Sequence, residues 1–227
     1  IKKYFPNIKI VVFQHQLRSK SFLENEKIVN IKRRYIVDYT CVFGKSLKKY
    51  YALFLKTKFK IIGSLKNNFY KKYQVSNNSK ELVLISSFRP NRYHKYFNDK
   101  KFKFINQSIR LIMTFCKNNN IKLFILTWAG SNENKSQNDY SFLEEKYYNK
   151  ILGINNFKLI KKKKFSDSYK IVSKFKHFVS FNSTFAYELF SRNHNVAILR
   201  KIPIIKNKKI KKIKLIDSLT SIKTNGY

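Results

Sequence analysis

This sequence has few of the residues that mark disulfide-bonded, metal-binding or membrane-spanning proteins. It has only two cysteines in 227 residues. They are too few for a disulfide framework or a metal cluster, and we interpret Cys41 and Cys116 as buried thiols. No apolar run approaches the roughly 20 residues that a membrane-spanning helix needs, and the first residues lack the cleavage site of a secretory signal. We therefore expect a cytoplasmic protein in a reducing compartment.

Two common nucleotide-binding motifs are also missing. The sequence contains neither the GxxxxGK(S/T) loop of P-loop NTPases nor the GxGxxG fingerprint of ordinary NAD enzymes. Its four histidines are not spaced with cysteines or acids in the way that metal ligands are. We therefore expect no bound cofactor and no protein-bound metal.

Acidic residues are scarce, whereas basic residues are abundant. Lys and Arg number 49 against 12 Asp and Glu, which gives a formal net charge of +37. Such a charge attracts nucleic acid or the anionic head groups of a membrane surface. However, the frequent residues Lys, Asn, Ile, Phe and Tyr all have A/T-rich codons, and the basic residues are spread along the chain outside 161–164 and 206–214. We therefore favour A/T-driven genomic drift, together with a general attraction to acidic partners that includes peripheral contact with the inner face of a membrane, over dedicated nucleic-acid binding.

Hydrophobic periodicity predicts strands that alternate with helices. The chain is 43% hydrophobic, so it can bury a core. In the first part we predict strands over 8–13, 35–43 and 60–62, with a helix over 46–56. In the second part we predict strands over 82–86, 121–127, 157–160, 177–181 and 195–199. We predict helices over 103–117, 140–152 and 183–192, and a further helix that has its N-cap within 166–168 and ends at 175.

This alternation predicts an α/β fold class. Strands and helices at such spacing form parallel βαβ units with right-handed crossovers. We expect a doubly wound, Rossmann-like parallel-sheet domain over 81–205, preceded by part of a second α/β domain over 1–65. Residues 66–80 are interpreted as a linker and 206–227 as a basic tail or terminal helix. Because the first domain is short and the sequence starts at Ile1 rather than Met, we expect the chain to be part of a longer protein.

Small polar residues follow the predicted strand 177–181. Asn182, Ser183 and Thr184 stand between this strand and the next helix, and Glu188 lies about one helical turn later. Ligands of open parallel sheets bind beyond the carboxyl ends of the strands, where hydroxyls and free N–H groups can hold phosphate and an acid can bind a sugar hydroxyl. An ordinary helix cap with a favourably placed acid explains the same residues equally well.

Two more polar segments follow predicted strands. The first is basic and suits a diphosphate leaving group, although a solvated loop is an equal alternative. The second has an aromatic residue that can stack on a base and small residues that can approach phosphate, unless the aromatic residue belongs to the core. The candidate residues are Ser86, Ser87, Arg89 and Arg92 in the first segment, and Thr127, Trp128, Gly130 and Ser131 in the second.

One histidine is a candidate catalytic base. His15 follows the predicted strand 8–13 at its carboxyl end. Neutral imidazole suits the removal of a proton from an acceptor hydroxyl near pH 7, although packed or surface histidines are more common.

Four segments resemble bacterial surface-carbohydrate biosynthesis proteins, which are glycosyltransferase-like proteins of GT-B architecture. They are "VVFQHQ" (11–16), "DYTCVFGKSLKKYY" (38–51), "IIGSLKNN" (61–68) and "SFNSTFAYELFSRNHNVAIL" (180–199). Their order is that of the family, and the resemblance covers most of the chain. It implies that Ser183, Thr184 and Glu188 contact the phosphates and sugar of a nucleotide-sugar donor. The family-like QHG is QHQ here, so Gln16 replaces a glycine that can turn close to a ligand.

These observations lead to three hypotheses of function. The first is a GT-B glycosyltransferase that transfers a sugar from a nucleotide-sugar co-substrate to a glycan or lipid-linked glycan acceptor, in the assembly of surface polysaccharide or lipopolysaccharide. The second is a non-catalytic basic protein that binds nucleic acid or an anionic membrane. The third is a sugar-nucleotide epimerase on the same architecture.

Overall fold

The chain divides into two compact units, and one boundary between them in the sequence falls between Lys71 and Lys72. The computed structural model describes residue 4 and residues 7–14, 35–77, 80–130, 136–162, 167–181, 183–199, 203–206 and 209–213. Parallel β-sheets with helices between their strands occur in both units, which confirms the predicted α/β class.

The first unit contains a parallel sheet with the strand order β1-β2-β3. One short helix lies between β2 and β3, and another follows β3. Leu47 of the first of these helices packs with Phe43 and Phe54. The described elements of this unit are β1 (Val11–Phe13), β2 (Tyr35–Val42), α1 (Lys45–Tyr51), β3 (Leu55–Ile61) and α2 (Leu65–Phe69).

The prediction for the region around β3 was wrong. The helix predicted over 46–56 ends at Tyr51, and the strand predicted over 60–62 begins already at Leu55. Side chains along β3 alternate between partly buried and exposed positions: Leu55, Thr57 and Phe59 are partly buried, and Lys56, Lys58 and Lys60 are exposed. That period of two is typical of a half-covered strand, and it outweighs the helical spacing of the preceding residues.

Helix α2 lies where a linker was predicted from residue 66 onwards. Its N-cap is Ser64, whose hydroxyl accepts a hydrogen bond from the backbone N–H of Asn67 at 3.2 Å. This capping hydrogen bond satisfies one of the free N–H groups of the first turn, so a short helix forms in a polar segment without hydrophobic periodicity.

The second unit contains a five-stranded sheet, parallel throughout, with the strand order β6-β5-β4-β7-β8. A 3-10 turn at Pro90–Arg92 follows strand β4. The described elements are β4 (Glu81–Ile85), α3 (Lys95–Asn98), α4 (Lys100–Asn118), β5 (Lys122–Gly130), α5 (Ser136–Leu152), β6 (Lys158–Lys162), α6 (Asp167–Val172), β7 (His177–Ser180), α7 (Thr184–Phe190) and β8 (Asn195–Ile198).

Helices cover both faces of this sheet. Leu84 of β4 packs in a cluster with Ile109 of α4 and Tyr148 of α5. Its neighbour Val83 points to the other face and packs in a cluster with Leu189 of α7 and residues of α6. The unit is therefore a doubly wound, Rossmann-like α/β/α structure, as the sequence predicted.

The strand order places a topological switch point between β4 and β7. From the central strand β4 the chain first builds outward through β5 to β6, then returns to add β7 and β8 on the other side. The register aligns one residue of each strand in a single row: Ile160, Leu126, Ile85, Ser180 and Ile198. Ligands of such sheets bind where the order reverses, beyond the carboxyl ends of the strands.

The Lys-rich end of the chain contains strands where a tail or terminal helix was predicted. β9 (Pro203–Lys206) and β10 (Lys209–Ile213) pair antiparallel, with an irregularity between Ile210 and Lys212.

Candidate functional site

The polar segments predicted from the sequence start at the same edge of the five-stranded sheet. Ile85 pairs with Leu126 on one side and with Ser180 on the other. The backbone N–H of Ser86 continues this pairing by donating to the carbonyl of Leu126 at 3.1 Å. Because neighbouring strands lie about 4.8 Å apart, the segments that follow β4 and β7, and the part of β5 that follows Leu126, begin within about 10 Å of one another. The structure thus brings the three predicted segments together around the switch point.

The side chain of Ser86 anchors the segment after β4 by hydrogen bonds. Its hydroxyl oxygen accepts hydrogen bonds from the backbone N–H of Phe88 at 3.1 Å and from the hydroxyl of Tyr148 at 2.9 Å. Both Ser86 and Tyr148 are buried. Ser86 therefore fixes the course of the loop, and its neighbour Ser87 is the partly exposed serine of the pair.

A cluster of tyrosines supports the same loop. The hydroxyl of Tyr96 donates to the carbonyl of Ser87 at 3.0 Å, and the side-chain amide of Asn106 donates to the carbonyl of Tyr96 at 2.7 Å. The hydroxyl of Tyr147 in turn donates to the side-chain oxygen of Asn106 at 2.8 Å. Burial raises the pKa of Tyr147 and of Tyr148, so both hydroxyls remain protonated donors at neutral pH. The loop thus rests on a rigid scaffold built from α3, α4 and α5.

Arg89 and Arg92 bring two guanidinium groups to the loop. Arg89 is half-buried, and its guanidinium donates to the carbonyl of Phe88 at 2.7 Å. Burial lowers the pKa of Arg89, while Tyr96 and the fully buried Glu144 act against this. The charge of Arg92, which is exposed on the 3-10 turn, adds to the lowering. Guanidinium groups pair with anions such as a diphosphate, so this loop is a candidate anion site, in which Glu144 partly offsets the charge of Arg89.

Strand β5 continues further than predicted and contains a bulge. It runs to Gly130, so the first residues of the predicted loop belong to the strand. Leu126 pairs with Ile160 and Gly130 with Lys162, which leaves β5 with two more residues than β6 between these pairs. Thr127 is buried in this bulge and donates its hydroxyl to the carbonyl of Ile160 at 3.1 Å. Bulges of this kind often re-aim side chains next to active sites.

The backbone of Trp128 lies in the same bulge. Its side chain, together with the residues His15, Ser131 and Asn182, lies outside what the structure describes. The roles expected for these residues stay predictions. Gln14, which directly precedes His15, is buried and accepts a hydrogen bond from the backbone N–H of Phe43 at 3.0 Å.

Helix α7 begins without a side-chain cap. Ser183 occupies the N-cap position with an extended backbone, but its hydroxyl makes no capping hydrogen bond. Ser183 and Thr184 are both partly exposed. The hydroxyl of Ser180, just before them, is buried and has no hydrogen-bond partner among the atoms described. Buried polar groups are normally paired, so an unpaired hydroxyl at the switch point is unusual.

Glu188 is buried on α7 rather than exposed at the sheet edge. It is 6% exposed, and its carboxylate accepts a hydrogen bond from the hydroxyl of Tyr169 at 2.6 Å. The guanidinium of Arg192 lies 4.4 Å from the centre of the Tyr169 ring. Burial lowers the pKa of Arg192, and Tyr169 and Glu188 oppose this effect. Glu188, Tyr169 and Arg192 therefore form a buried cluster beneath α7.

Sequence reasoning missed the residues that support the site. The four-residue spacing of Glu188 and Arg192 on a helix was a signal that the two can interact. The partners on α5 gave no such signal, since Tyr148 and Ser86 are 62 residues apart. Within the described part of the chain, no three His, Cys, Asp or Glu side chains are grouped so that they could hold a metal ion. Nor does any helix in that part have the length and apolar character needed to cross a membrane.

Comparison with known proteins gives one family. Residues 11–211 match the model of a family described as "putative O-antigen biosynthesis protein". A search of curated proteins finds no match. The matched range covers most of both units and contains every candidate residue named above.

Proposed function

This chain belongs to the O-antigen biosynthesis family that its sequence matches, and we propose that it acts there as a glycosyltransferase of GT-B type. In this proposal it transfers a sugar from a nucleotide-sugar donor to a glycan or lipid-linked glycan acceptor. The O-antigen is a surface carbohydrate, and its assembly requires enzymes that form glycosidic bonds. Membership of the family therefore supports the class of reaction.

The observation that carries the proposal is the convergence of two segments at the switch point of a doubly wound sheet. The loop after β4 presents Arg89 and Arg92, and the segment after β7 presents Ser183 and Thr184. Nucleotides bind at this position in doubly wound folds. Guanidinium groups pair with diphosphates, and hydroxyls donate to phosphate or sugar oxygens.

The proposed reaction is the displacement of a nucleoside diphosphate by an acceptor hydroxyl. The acceptor oxygen forms a bond to the anomeric carbon while the bond from that carbon to the diphosphate breaks, and the electron pair leaves with the diphosphate. Arg89 and Arg92 stabilise the negative charge that develops on the leaving group. The proton of the acceptor passes to a general base; the assignment of that role to His15 stays a prediction from the sequence.

Ser86 and Glu188 have a different part in this proposal. Both are buried and hydrogen-bonded to tyrosines, Ser86 to Tyr148 and Glu188 to Tyr169. We assign them as positioning residues, which hold the loop after β4 and helix α7 in place. The groups that contact the donor are those at the surface of the site: Ser87, the two arginines, Ser183 and Thr184. This assignment departs from the direct role that the sequence resemblance implies for Glu188.

A binding assay with a matched pair of arginine variants tests the proposal. Isothermal titration with a panel of nucleotide diphosphate sugars should find one that binds saturably. Arg92→Gln should weaken that binding about tenfold or more, since a hydrogen bond to a charged group contributes about 1.5 kcal/mol or more. Arg110→Gln removes another exposed arginine, from α4, and should leave the affinity within about twofold.

A second pair of variants tests the other side of the site. The double change Ser183→Ala with Thr184→Ala should also weaken binding, while Thr114→Ala on the exposed face of α4 should not. Equal losses in site and control variants, or the absence of saturable binding to any donor, would refute a donor site at the switch point.

A specific observation favours one alternative, a basic protein that binds an anionic membrane. Helix α4 exposes Leu111 and Phe115, which are 67% and 54% accessible and lie one turn apart, next to the exposed Arg110 and Lys117. Apolar residues flanked by cations suit the surface of an anionic bilayer. Sedimentation with anionic and neutral vesicles separates the two functions. Tight binding to anionic vesicles that is lost in Leu111→Gln with Phe115→Gln, without saturable donor binding, would favour the alternative.

A further inference from the structure

The second unit has a pocket at the edge of the sheet opposite to the candidate site. Its volume is about 380 Å³. Lys176 directly precedes β7, and residues 191–193 are separated from β8 only by His194, so the pocket lies at the amino ends of these strands. The residues that line it are Lys72, Tyr73, Gln74, Val75, Lys176, Ser191, Arg192 and Asn193.

The lining of this pocket is positively charged. It includes Lys72, Lys176 and Arg192, and none of the eight lining residues is acidic. One acid, Glu188, acts on Arg192 electrostatically, and it is buried and hydrogen-bonded to Tyr169. Three lining cations and one buried carboxylate leave two positive charges. A phosphate monoester carries a charge of about −1.5 to −2 at neutral pH, so it would neutralise the pocket.

Several contacts hold the walls of the pocket in place. Arg192 is buried against the ring of Tyr169. The ammonium group of Lys176 donates to the carbonyl of Asn193 at 2.9 Å, which joins two of the lining segments. The third segment follows Lys72 and is joined to the unit by the backbone N–H of Ser76, which donates to the carbonyl of Ser173 at 2.8 Å. Three separate parts of the chain thus bring their cations to one fixed concave surface.

An ordinary structural role explains only part of this arrangement. A lysine near the carboxyl end of a helix is favourable, and Lys176 donates to the carbonyl of Asn193, which lies shortly after the end of α7. That effect does not explain why Lys72 also lines the pocket. Lys72 belongs to the segment that precedes β4 along the chain. Tyr73, Gln74 and Asn193 add neutral side chains that can donate hydrogen bonds to oxygen.

We propose that this pocket binds a phosphorylated ligand of about the size of a sugar phosphate. Its volume lies in the range of small-molecule sites, which begins near 300 Å³, and exceeds what inorganic phosphate needs. The phosphate contacts Lys72, Lys176 and Arg192, and the remaining space takes the group that carries the phosphate. This site is separate from the proposed donor site and does not depend on it, because it lies at the other end of the strands.

Substitutions of two lysines that lie two residues apart, Lys176 and Lys174, test the inference. Lys176 lines the pocket, whereas Lys174 is exposed and does not. Lys176→Gln should weaken the binding of glucose 1-phosphate and of inorganic phosphate to the full chain about fivefold or more, and Lys72→Gln should do the same. Lys174→Gln makes the same change of net charge and should alter the affinity by less than about twofold. Unchanged far-UV circular dichroism would show that the variants fold.

The source of the phosphate is distinguished by a third probe. Vesicles that contain phosphatidic acid present the same group on a lipid. Binding of these vesicles that is lost in Lys176→Gln but kept in Lys174→Gln would place a lipid phosphate in the pocket. Equal losses in both variants with every probe, or no saturable binding of any probe, would overturn the inference. The double change of Ser183 and Thr184 to alanine should leave this phosphate binding intact, so failure here and failure of the donor site give different results.

Discussion

Removing one hydroxyl group tests whether Glu188 supports the fold or contacts a ligand. Tyr169 is 2% exposed and donates to the Glu188 carboxylate over only 2.6 Å. Such a short distance is typical of a hydrogen bond to a charged acceptor. Tyr169→Phe removes this donor and keeps the ring on which Arg192 packs. The variant therefore isolates the hydrogen bond from the packing of the cluster.

The expected loss follows from the chemistry of this contact. A buried hydrogen bond to a charged group contributes about 1.5–3 kcal/mol to stability, compared with about 1 kcal/mol for a neutral pair. For a chain of this length, a loss of 1 kcal/mol lowers Tm by about 2–4 °C. We therefore expect Tyr169→Phe to lower Tm by roughly 3–12 °C. Glu188→Gln removes the charge from the same pair, so the effects of the two changes should not add, with a coupling energy in the range of about 0.5–3 kcal/mol.

Urea unfolding followed by circular dichroism measures these losses. Tyr93→Phe is the matched control, because Tyr93 packs by its ring against Phe88 and Phe97 in the same unit. We expect this control to cost less than about 0.5 kcal/mol. Nucleotide-sugar affinity is measured on the same proteins. If Tyr169→Phe were as mild as the control while Glu188→Gln abolished donor binding without loss of stability, Glu188 would be a ligand contact and the reasoning would be refuted.

Two further predictions concern other buried groups. Tyr148→Phe removes the hydroxyl that donates to Ser86, so it should lower the free energy of unfolding by about 1 kcal/mol and weaken donor binding through the loop. If the free energy of unfolding fell while the donor affinity stayed unchanged, Ser86 would have no role in donor binding. His194 donates its Nδ1 proton to the carbonyl of Phe175, and burial lowers its pKa below the ordinary value of 6.5. Below that pH the unfolded chain binds a proton that the folded chain does not, so stability should fall as pH falls from 7.5 to 5, and His194→Gln should flatten this slope. An unchanged slope in the variant would assign the pH dependence to other groups.

Local patterns were sufficient to predict the strands of the five-stranded sheet and the longer helices beside it, but not their neighbours in space. Strands such as β4 and β7 were recognised because their apolar runs are short and bounded by polar residues. Right-handed βαβ geometry then predicts a doubly wound sheet. The strand order and the pairing of residues such as Ile85 with Ser180 depend on contacts between distant parts of the chain. The strand β3 was mistaken because helical spacing before it hid the alternation of Leu55 and Thr57.

The candidate site shows the same division. The rule that ligands bind at the carboxyl ends of parallel strands was enough to select three segments, and all three start at one edge. The rule does not tell which polar residues face outward. Glu188 and Ser86 have side chains that could bind a ligand if they were exposed. In the structure they are buried and hydrogen-bonded to Tyr169 and Tyr148 instead. The orientation of such residues is decided by side chains of other helices, which spacing along one segment does not reveal.

The central position of β4 has a consequence for the order in which the unit assembles. β4 is the first strand of its sheet along the chain, and β5 and β6 with α4 and α5 can join it through contacts that are close in sequence. Its other edge stays open until β7 arrives from residue 177 onwards, and such distant pairing is slow because it closes a long loop. The candidate donor site therefore exists only while β7 is paired with β4. Local opening of β7, α7 and β8 would remove donor binding while the remaining strands and helices stay folded.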